Sequence, residues 1–189
     1  MKKNAKTEQI LDIALVILEK NGDYGVTMRQ VAAQSGMSLS NVQYYFKNKD
    51  ELLKAMADRY FSQCLSDLRN IKQLGSHDVL HDELYMTLMA FLNHGASISE
   101  MCKIFREYWA ISSRNSVIKK YVHDYYREMA GILMDKLQPA AKSDHATSDA
   151  VSIIIPYIEG YSITAEAMPQ TLAQITELLT SICCQLLNE

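Results

Sequence analysis

The stretch Thr27–Leu52, TMRQVAAQSGMSLSNVQYYFKNKDEL, decides the fold of this chain. Two short runs with the apolar spacing of a helix flank a glycine: Val31 and Ala32 precede Gly36, and Val42 follows it by six residues. Two short helices that are joined by a tight, glycine-containing turn are typical of a helix-turn-helix. The spacing therefore predicts that motif.

The turn and the inner face of this motif make steric demands that the residues meet. Ala32 is small enough to let the second helix approach the first closely. Gly36 takes the turn, where any other side chain either clashes or is forced to positive φ. Met37, Val42 and Phe46 are then expected to bury the inner face.

The outer face of the motif is polar and suits a nucleic acid. Thr27 and Ser38 stand where N-caps are wanted, each at the start of a short helix. Side chains on the second helix can enter the major groove and hydrogen-bond base edges; the exposed candidates are Leu39, Ser40, Asn41, Gln43 and Tyr44. Helix N-terminal amides at Thr27 and near Lys49 would receive phosphates, with Lys47 and Lys49 adding charge.

The alternative is a plain helical hairpin whose polar face only meets water. The surroundings favour a DNA-binding head, because a supporting helix precedes the motif and a long helix follows it. Residues 1–60 carry nine Lys and Arg against seven Asp and Glu, and the remainder carries ten against fifteen. The N-terminal part is thus slightly basic, which agrees weakly with an anionic partner.

Thr27–Leu52, together with the helix that precedes it, resembles the N-terminal domain of TetR-type (TetR/AcrR) bacterial transcriptional regulators. The positions that match the head pattern of that family are Thr27, Ala32, Gly36, Ser38, Tyr44, Phe46, Lys49 and Leu52. The positions that depart from it are Leu39, Ser40, Gln43 and Tyr45, all on the predicted DNA-facing helix. The departures bear on which DNA sequence is read and not on the fold.

The resemblance implies roles for the residues of the head. Phosphates would be held by Thr27, Tyr44, Tyr45 and Lys49, and base edges would be read by Ser40, Asn41 and Gln43. Arg29 would serve either role. Ser38, Leu39 and Lys47 complete the predicted DNA-binding set.

The composition favours an all-α chain. Three prolines and seven glycines in 189 residues, with abundant Leu, Ile, Ala and Met, favour helix over strand. The early apolar segment ILDIALVIL contains Asp12 and is too short for a membrane span, so it predicts an amphipathic helix and not a signal peptide. The cysteines show no C-x-x-C pair and no metal-ligand spacing. We expect free thiols in a reducing cytoplasm; a redox-sensing thiol is the alternative, and no motif supports it.

Helical periodicity predicts the remaining elements. The expected helices cover Thr7–Lys20, Lys49–Gln73, Val79–Ala96, Ser99–Ser113, Ser116–Leu137, Thr147–Ala167 and Gln170–Leu187. Gln138–Ser148 is the one extended polar linker. The sequence therefore predicts an N-terminal three-helix helix-turn-helix DNA-binding domain over residues 1–50. A larger C-terminal helical domain, for effector binding and dimerisation, is expected over residues 51–189.

The last two predicted helices are similar to those by which members of that family pair across a two-fold axis. Apolar residues recur at spacings of three and four in the final helix: Leu172, Ile175, Leu179, Ile182 and Leu186. With Ile154, Ile155 and Ile158 they are expected to form a four-helix dimer interface. The alternative is that both helices pack inside the monomer. A two-fold protein would place two heads on successive major grooves of a palindrome.

The middle helices are rich in large, soft side chains, which in this family line an effector pocket. The candidates are Tyr85, Met89, Phe105, Trp109, Ser112, Tyr126 and Met129, with Trp109 the first choice. Ordinary core is the alternative for each of them. Aromatic and methionine walls suit a mostly apolar small molecule. The stretch Arg106–Met129 resembles the BetI-like branch of the family, whose effector is choline, and aromatic faces can hold such a cation.

These features together predict a dimeric transcriptional repressor in the cytoplasm. It would bind double-stranded DNA at a palindromic operator and be released by a small-molecule effector. The alternative is a DNA-binding protein whose C-terminal domain binds another protein. An enzyme is not expected, since the sequence has no nucleophile–base spacing, metal motif or phosphate loop. No cofactor or metal is expected either.

Overall fold

The computed structural model describes residues 2–75, 77–96 and 100–189, and these residues form helices and no strand. The α-helices are α1 (Lys2–Gly25), α2 (Met28–Gln34), α3 (Leu39–Tyr45), α4 (Lys49–Asn70), α5 (His77–Ala96), α6 (Glu100–Ser112), α7 (Ser116–Leu137), α8 (Asp144–Thr164) and α9 (Leu172–Leu187). Two 3-10 helices, Gln138–Ala140 and Ala165–Ala167, directly follow α7 and α8. The predicted all-α class is confirmed.

Some helix boundaries agree with the sequence prediction, and others differ from it by a few residues. Helix α7 spans the predicted residues, and α4 ends three residues earlier than expected. Helix α8 begins at Asp144, inside the predicted linker, because the Ser143 hydroxyl accepts a hydrogen bond from the Ala146 amide at 3.1 Å and caps it. Ser99, the predicted first residue of α6, lies outside the described residues.

A break at Gly22 interrupts α1 where the sequence predicts the end of the first helix. Gly22 has φ 64° and ψ −173°, which is not helical. Positive φ is readily adopted only by glycine. The regular part of α1 therefore ends there, and one further helical turn leads to Gly25.

One compact unit consists of the described residues up to Leu65 together with Lys103–Tyr126. Its core is built from α1 to α3, the first part of α4, most of α6 and the start of α7. The largest fully buried side chains in it are Ile10, Ile17, Leu18, Leu52, Leu53, Met56, Tyr108 and Ile111. The Tyr108 hydroxyl donates a hydrogen bond to the carbonyl of Leu53 at 2.8 Å. The unit is thus larger than the predicted domain 1–50.

A second compact unit consists of Ser66–Cys102 and Arg127–Glu189. Helices α5, α8 and α9 pack against one another in it. Helix α5 contributes a stripe of leucines spaced by four, Leu80, Leu84, Leu88 and Leu92, all at most 2% exposed. Residues four apart lie on one face of a helix, so this stripe gives α5 a continuous apolar side.

Candidate nucleic-acid interface

The two short helices of the head begin at the predicted caps. The Thr27 side-chain oxygen accepts a hydrogen bond from the Gln30 amide at 3.1 Å, and the Ser38 hydroxyl accepts one from the Asn41 amide at 3.2 Å. Both cap residues have extended backbone angles. Local capping therefore fixes where α2 and α3 begin.

The turn between α2 and α3 requires glycine because of its backbone conformation. Gly36 has φ 65°, and no heavy atom lies within 4 Å of a Cβ built on it. Of the two predicted reasons for glycine, positive φ is the one that applies, and a clash does not. The Met37 amide closes the turn on the Ala32 carbonyl at 3.0 Å, although the Met37 side chain is only half-buried.

The outer face of α3 consists of exposed polar side chains, while Val42 is fully buried on its inner face and Phe46 is buried just after it. The exposed residues are Ser40, Asn41, Gln43 and Tyr44, the last with 69% of its surface exposed. Leu39 and Tyr45 are half-buried. The rings of Tyr44 and Tyr45 are nearly perpendicular, with centroids 5.2 Å apart. A short helix with this polar face has the shape and chemistry to enter a major groove.

The predicted amide site at the start of α4 is partly occupied by the chain itself. The Asn48 side-chain oxygen accepts a hydrogen bond from the Glu51 amide at 2.9 Å, and the Glu51 carboxylate accepts one from the Lys47 amide at 3.0 Å. Asp50 and Glu51 also place negative charge in this first turn. These contacts disfavour the Glu51 amide as a phosphate ligand, and phosphate binding by the other amides of this turn stays a prediction. The exposed side chains of Arg29 and Lys47 remain candidates for phosphate contacts.

Lys49, predicted to hold a phosphate, is tied to the end of α1. Its ammonium lies 2.7 Å from both the carbonyl oxygen and the Oδ1 atom of Asp23. Asp23 is only 8% exposed, and its Oδ2 atom accepts a hydrogen bond from Arg114 Nη2 at 2.8 Å. Burial raises the pKa of Asp23, but the hydrogen bonds and charges of Arg114 and Lys49 outweigh that effect and hold the pKa below its ordinary value.

No sequence pattern predicts this ion network. Asp23 is 26 residues from Lys49 and 91 residues from Arg114. No periodicity or motif joins positions so far apart. Only the packing of α1, α4 and the turn after α6 brings them together.

The predicted effector residues are divided between the two compact units. Phe105, Trp109, Ser112 and Tyr126 lie in the first unit, and Tyr85, Met89 and Met129 lie in the second. Phe105 is buried and stacks on Phe61 with ring centroids 5.1 Å apart, and the Ser112 hydroxyl is bonded to the carbonyl of Trp109. Trp109 and Tyr126 do lie together: the indole N–H donates to the Tyr126 hydroxyl at 3.0 Å, and Trp109 is 45% exposed.

An open pocket of about 340 Å³ lies in the second unit between the end of α4 and α5. It is lined by Ile71, Lys72, Gln73, Leu74, Asp82, Glu83, Met86 and Thr87. None of the predicted effector residues lines it.

Three of the eight predicted dimer residues are covered by the chain itself. Ile154, Ile175 and Leu179 are at most 6% exposed and belong to the core of the second unit. For these three, burial within one chain favours the alternative of packing inside the monomer, because their side chains are already covered. Ile155, Ile158, Leu172 and Leu186 are half-buried, and Ile182 is 36% exposed. Leu178, which the sequence analysis did not select, is 48% exposed on the same helix as Ile182.

Membrane-spanning helices, metal sites and reactive thiols were also considered in the sequence, and the described residues bear on each. No helix among the described residues has the length and apolar character to span a membrane, and those residues show no group of three His, Cys, Asp or Glu side chains placed to hold a metal. All four cysteines lie among the described residues and are thiols, not disulfides. Burial raises the pKa of the Cys183 thiol to about 12, so that thiol is protonated and unreactive at neutral pH.

Residues 10–56 match the model of the family described as bacterial regulatory proteins, tetR family. An uncharacterised HTH-type transcriptional regulator from the dhlA 5′ region of Xanthobacter autotrophicus is 53% identical over 188 residues, covering 100% of this chain and 93% of that protein. The chain belongs to the tetR family. This membership makes it a DNA-binding transcriptional regulator with α2 and α3 as its helix-turn-helix.

Other proteins with lower sequence identity match this tetR-family chain over most of its length. The regulator BetI of Burkholderia cenocepacia is 23% identical over 155 residues, covering 80% of this chain and 79% of BetI. A transcriptional regulator from Rhodococcus sp. Rha1 has the same fold, with a TM-score of 0.78, 15% identity and coverage of 95% and 96%. The multidrug binding protein EbrR, complexed with malachite green, gives a TM-score of 0.68 at 16% identity, covering 97% of this chain and 98% of EbrR.

Proposed function

We propose that this tetR-family regulator is a dimeric cytoplasmic repressor that binds a palindromic operator and is released by a small-molecule effector. The observation that carries the proposal is the outer face of α3, where short polar side chains are exposed opposite the buried Val42. Such a face can read base edges only when the helix is held in a major groove. No catalytic activity is part of the proposal.

Within the head, we assign base reading to Ser40, Asn41 and Gln43. Their exposed hydroxyl and amide groups can donate and accept hydrogen bonds at base edges. The phosphate contacts are assigned to Thr27, Arg29, Tyr44, Tyr45, Lys47 and Lys49, with Ser38 and Leu39 at the edge of the interface. Phosphate contacts fix the register of the head on the duplex, and base contacts select the sequence.

The proposed dimer surface lies on α8 and α9 and is a revision of the predicted seam. It consists of the side chains that the chain leaves at least partly uncovered: Ile155, Ile158, Leu172, Leu178, Ile182 and Leu186. Leu178 and Ile182 are four residues apart, so they share one face of α9. Burying such exposed apolar surface against a second copy is favourable, at about 25 cal/mol for each Å².

The proposed effector is a mostly apolar organic cation, and Trp109 with Tyr126 is the pair assigned to it. Aromatic faces attract cations, and Trp109 is exposed enough to meet a ligand. The likeness to BetI and to EbrR, which was solved with malachite green, supports this class of molecule.

A second candidate function is supported by apolar surface on α5. Val79 and Met86 are exposed there, and such surface is also suited to a protein partner. A titration with malachite green, followed by the fluorescence of Trp109, separates the candidates. Saturable quenching by malachite green, together with a lower affinity for DNA, supports the small-molecule effector. Binding of malachite green without a change in DNA affinity supports the protein partner.

The function is tested by selecting genomic fragments of the source organism with the purified chain at moderate salt and sequencing them. A recovered palindrome supports a dimeric operator reader. Random fragments would contradict the proposal, because they show phosphate binding without sequence reading.

A further inference from the structure

We propose that Asp23 is a positioning residue for DNA binding, which acts by holding the ammonium of Lys49 ready for a phosphate. Asp23 lies at the end of α1, outside the helix-turn-helix and outside the predicted DNA-binding set, so that set assigns it no role. The inference rests on the proposed function in one respect, namely that Lys49 contacts a phosphate.

The contacts of Lys49 hold its side chain in place but leave its ammonium able to bind another acceptor. An ammonium group has three N–H donors. One donates to the carbonyl oxygen of Asp23 at 2.7 Å, and the ammonium also forms an ion pair with Asp23 Oδ1 at 2.7 Å, so at least one N–H remains for another acceptor. The Lys49 side chain remains 35% exposed. Since a free lysine loses much rotamer freedom when it binds, a lysine that the fold has already fixed binds a phosphate at a lower entropic cost.

The charge of Asp23 is shared, and this decides the direction of its effect. Arg114 donates to Oδ2 at 2.8 Å while Lys49 lies against Oδ1. Asp23 thus lies between two cations, and Arg114 takes up part of its charge. Lys49 is therefore oriented by Asp23 without being fully neutralised by it, and it keeps an attraction for a phosphate.

Asp23 is itself held from α6 and from the turn that follows it. The Asp23 amide donates to the Glu107 carboxylate at 3.0 Å, and a Cβ at Gly22 would lie only 3.1 Å from that carboxylate. The absence of a side chain at Gly22 thus lets Glu107 approach the backbone closely. The Arg114 guanidinium also covers the Tyr24 ring, 5.4 Å from its centroid.

The same turn holds the start of α4. The Asn115 side-chain amide donates to Asp50 Oδ1 at 2.8 Å, one residue after Lys49. The turn after α6 therefore contacts both the residue that holds Lys49 and the helical turn that carries it.

The test measures phosphate binding without requiring the operator. Binding of a labelled mixed-sequence duplex of about three helical turns is followed by fluorescence anisotropy over a series of salt concentrations. Asp23→Asn is expected to weaken binding about three- to tenfold and to lower the slope of log affinity against log salt by up to about 0.9 for each head, which is one phosphate. Lys49→Gln is expected to do the same, and the double variant is expected to lose no more than Lys49→Gln alone.

A matched control is available on the same pair of helices. Arg59 of α4 pairs with Asp12 at 2.6 Å and with Glu8 at 3.2 Å, both on α1. Arg59→Gln removes this second link between α1 and α4 without touching Asp23. It is expected to leave the salt slope unchanged. Thermal melting by circular dichroism checks that each variant is folded; if Asp23→Asn is not, Arg114→Gln takes its place with the same expected loss of slope.

The outcomes separate this inference from the proposed function. An unchanged or higher affinity of Asp23→Asn overturns the positioning role, as do losses from Asp23→Asn and Lys49→Gln that simply add. In each of those cases the wild-type chain still binds DNA, and the proposed function stands. Failure of the wild-type chain to bind any duplex would instead overturn both.

Discussion

The helix-turn-helix and the pair α8–α9 differ in what determines their structure. In the head, the hydroxyls of Thr27 and Ser38 each cap a helix by accepting a hydrogen bond from an amide three residues away. Gly36 makes the turn through its own positive φ angle. In α8 and α9, the same kind of apolar residue is buried at Ile175 and exposed at Ile182. Local chemistry specifies the first region, whereas the second depends on which face meets the rest of the chain.

The largest expected effect is on the dimer. Changing both Leu178 and Ile182 to Lys places two charges on the proposed interface, and we expect the protein to become monomeric with its helical content intact. Affinity for a palindrome should then fall by about 100-fold or more, because the two heads no longer bind as one ligand. Sedimentation and DNA titration measure both effects. Val16→Lys, at an exposed apolar site on α1, is the control. A dimeric double variant would place the interface elsewhere.

Ile175→Ala should act through the core and leave the dimer in place. Ile175 is 6% exposed within one chain, so truncation leaves a cavity and is expected to lower the free energy of unfolding by about 2–5 kcal/mol. Urea unfolding at fixed protein concentration measures this change. If the protein instead becomes monomeric with undiminished stability, the seam at Ile175 faces a partner after all.

Gln43→Ala is expected to change which sequence is bound. Loss of a base contact costs about 1–3 kcal/mol of discrimination at one position of the site. Lys47→Ala, at an exposed lysine two residues beyond α3, should weaken all duplexes alike. Selection from a random library with each variant gives the comparison. Equal losses across all sequences for both variants would remove Gln43 from the base readers.

Gly36→Ala measures how much the stability of the protein depends on glycine in the turn between α2 and α3. No heavy atom lies within 4 Å of a Cβ at Gly36 or at Gly131, but only Gly36 has positive φ. We expect Gly36→Ala to cost about 1–2 kcal/mol of stability. Gly131→Ala, in the exposed interior of α7, should gain up to about 1 kcal/mol. Thermal unfolding of the two variants measures the difference, and equal effects would show that φ is not the determinant.

The smallest expected effect is on the acid dependence of stability. Arg114 and Lys49 hold the pKa of folded Asp23 below its ordinary value of 3.8, with the Glu107 carboxylate beside its amide. The folded state therefore binds fewer protons than the unfolded state in this range. The stabilisation is complete above the unfolded pKa and is lost as the pH falls through the lower folded pKa. Urea unfolding between about pH 6 and pH 3 should show wild type and Asp23→Asn converging in acid; a constant difference contradicts the linkage.

Much of the head was predictable because its determinants are close together in sequence. The caps, the glycine turn and the buried Val42 are all read from neighbouring residues. The partners of Asp23 were not predictable, since Glu107 and Arg114 are 84 and 91 residues away. The effector residues were predicted by type alone, and residue type does not separate the buried Phe105 from the exposed Trp109.

The sequence by itself determined the helical class, the tetR-type head and the residues that α3 presents, because capping, glycine conformation and helical period act over a few residues. Only the tertiary structure decided that Lys49 is held by a buried Asp23 and that Ile154, Ile175 and Leu179 face inward. Those outcomes depend on which surfaces meet after the chain has folded. An amphipathic pattern predicts that the apolar face of a helix will be covered, but it does not predict what covers that face.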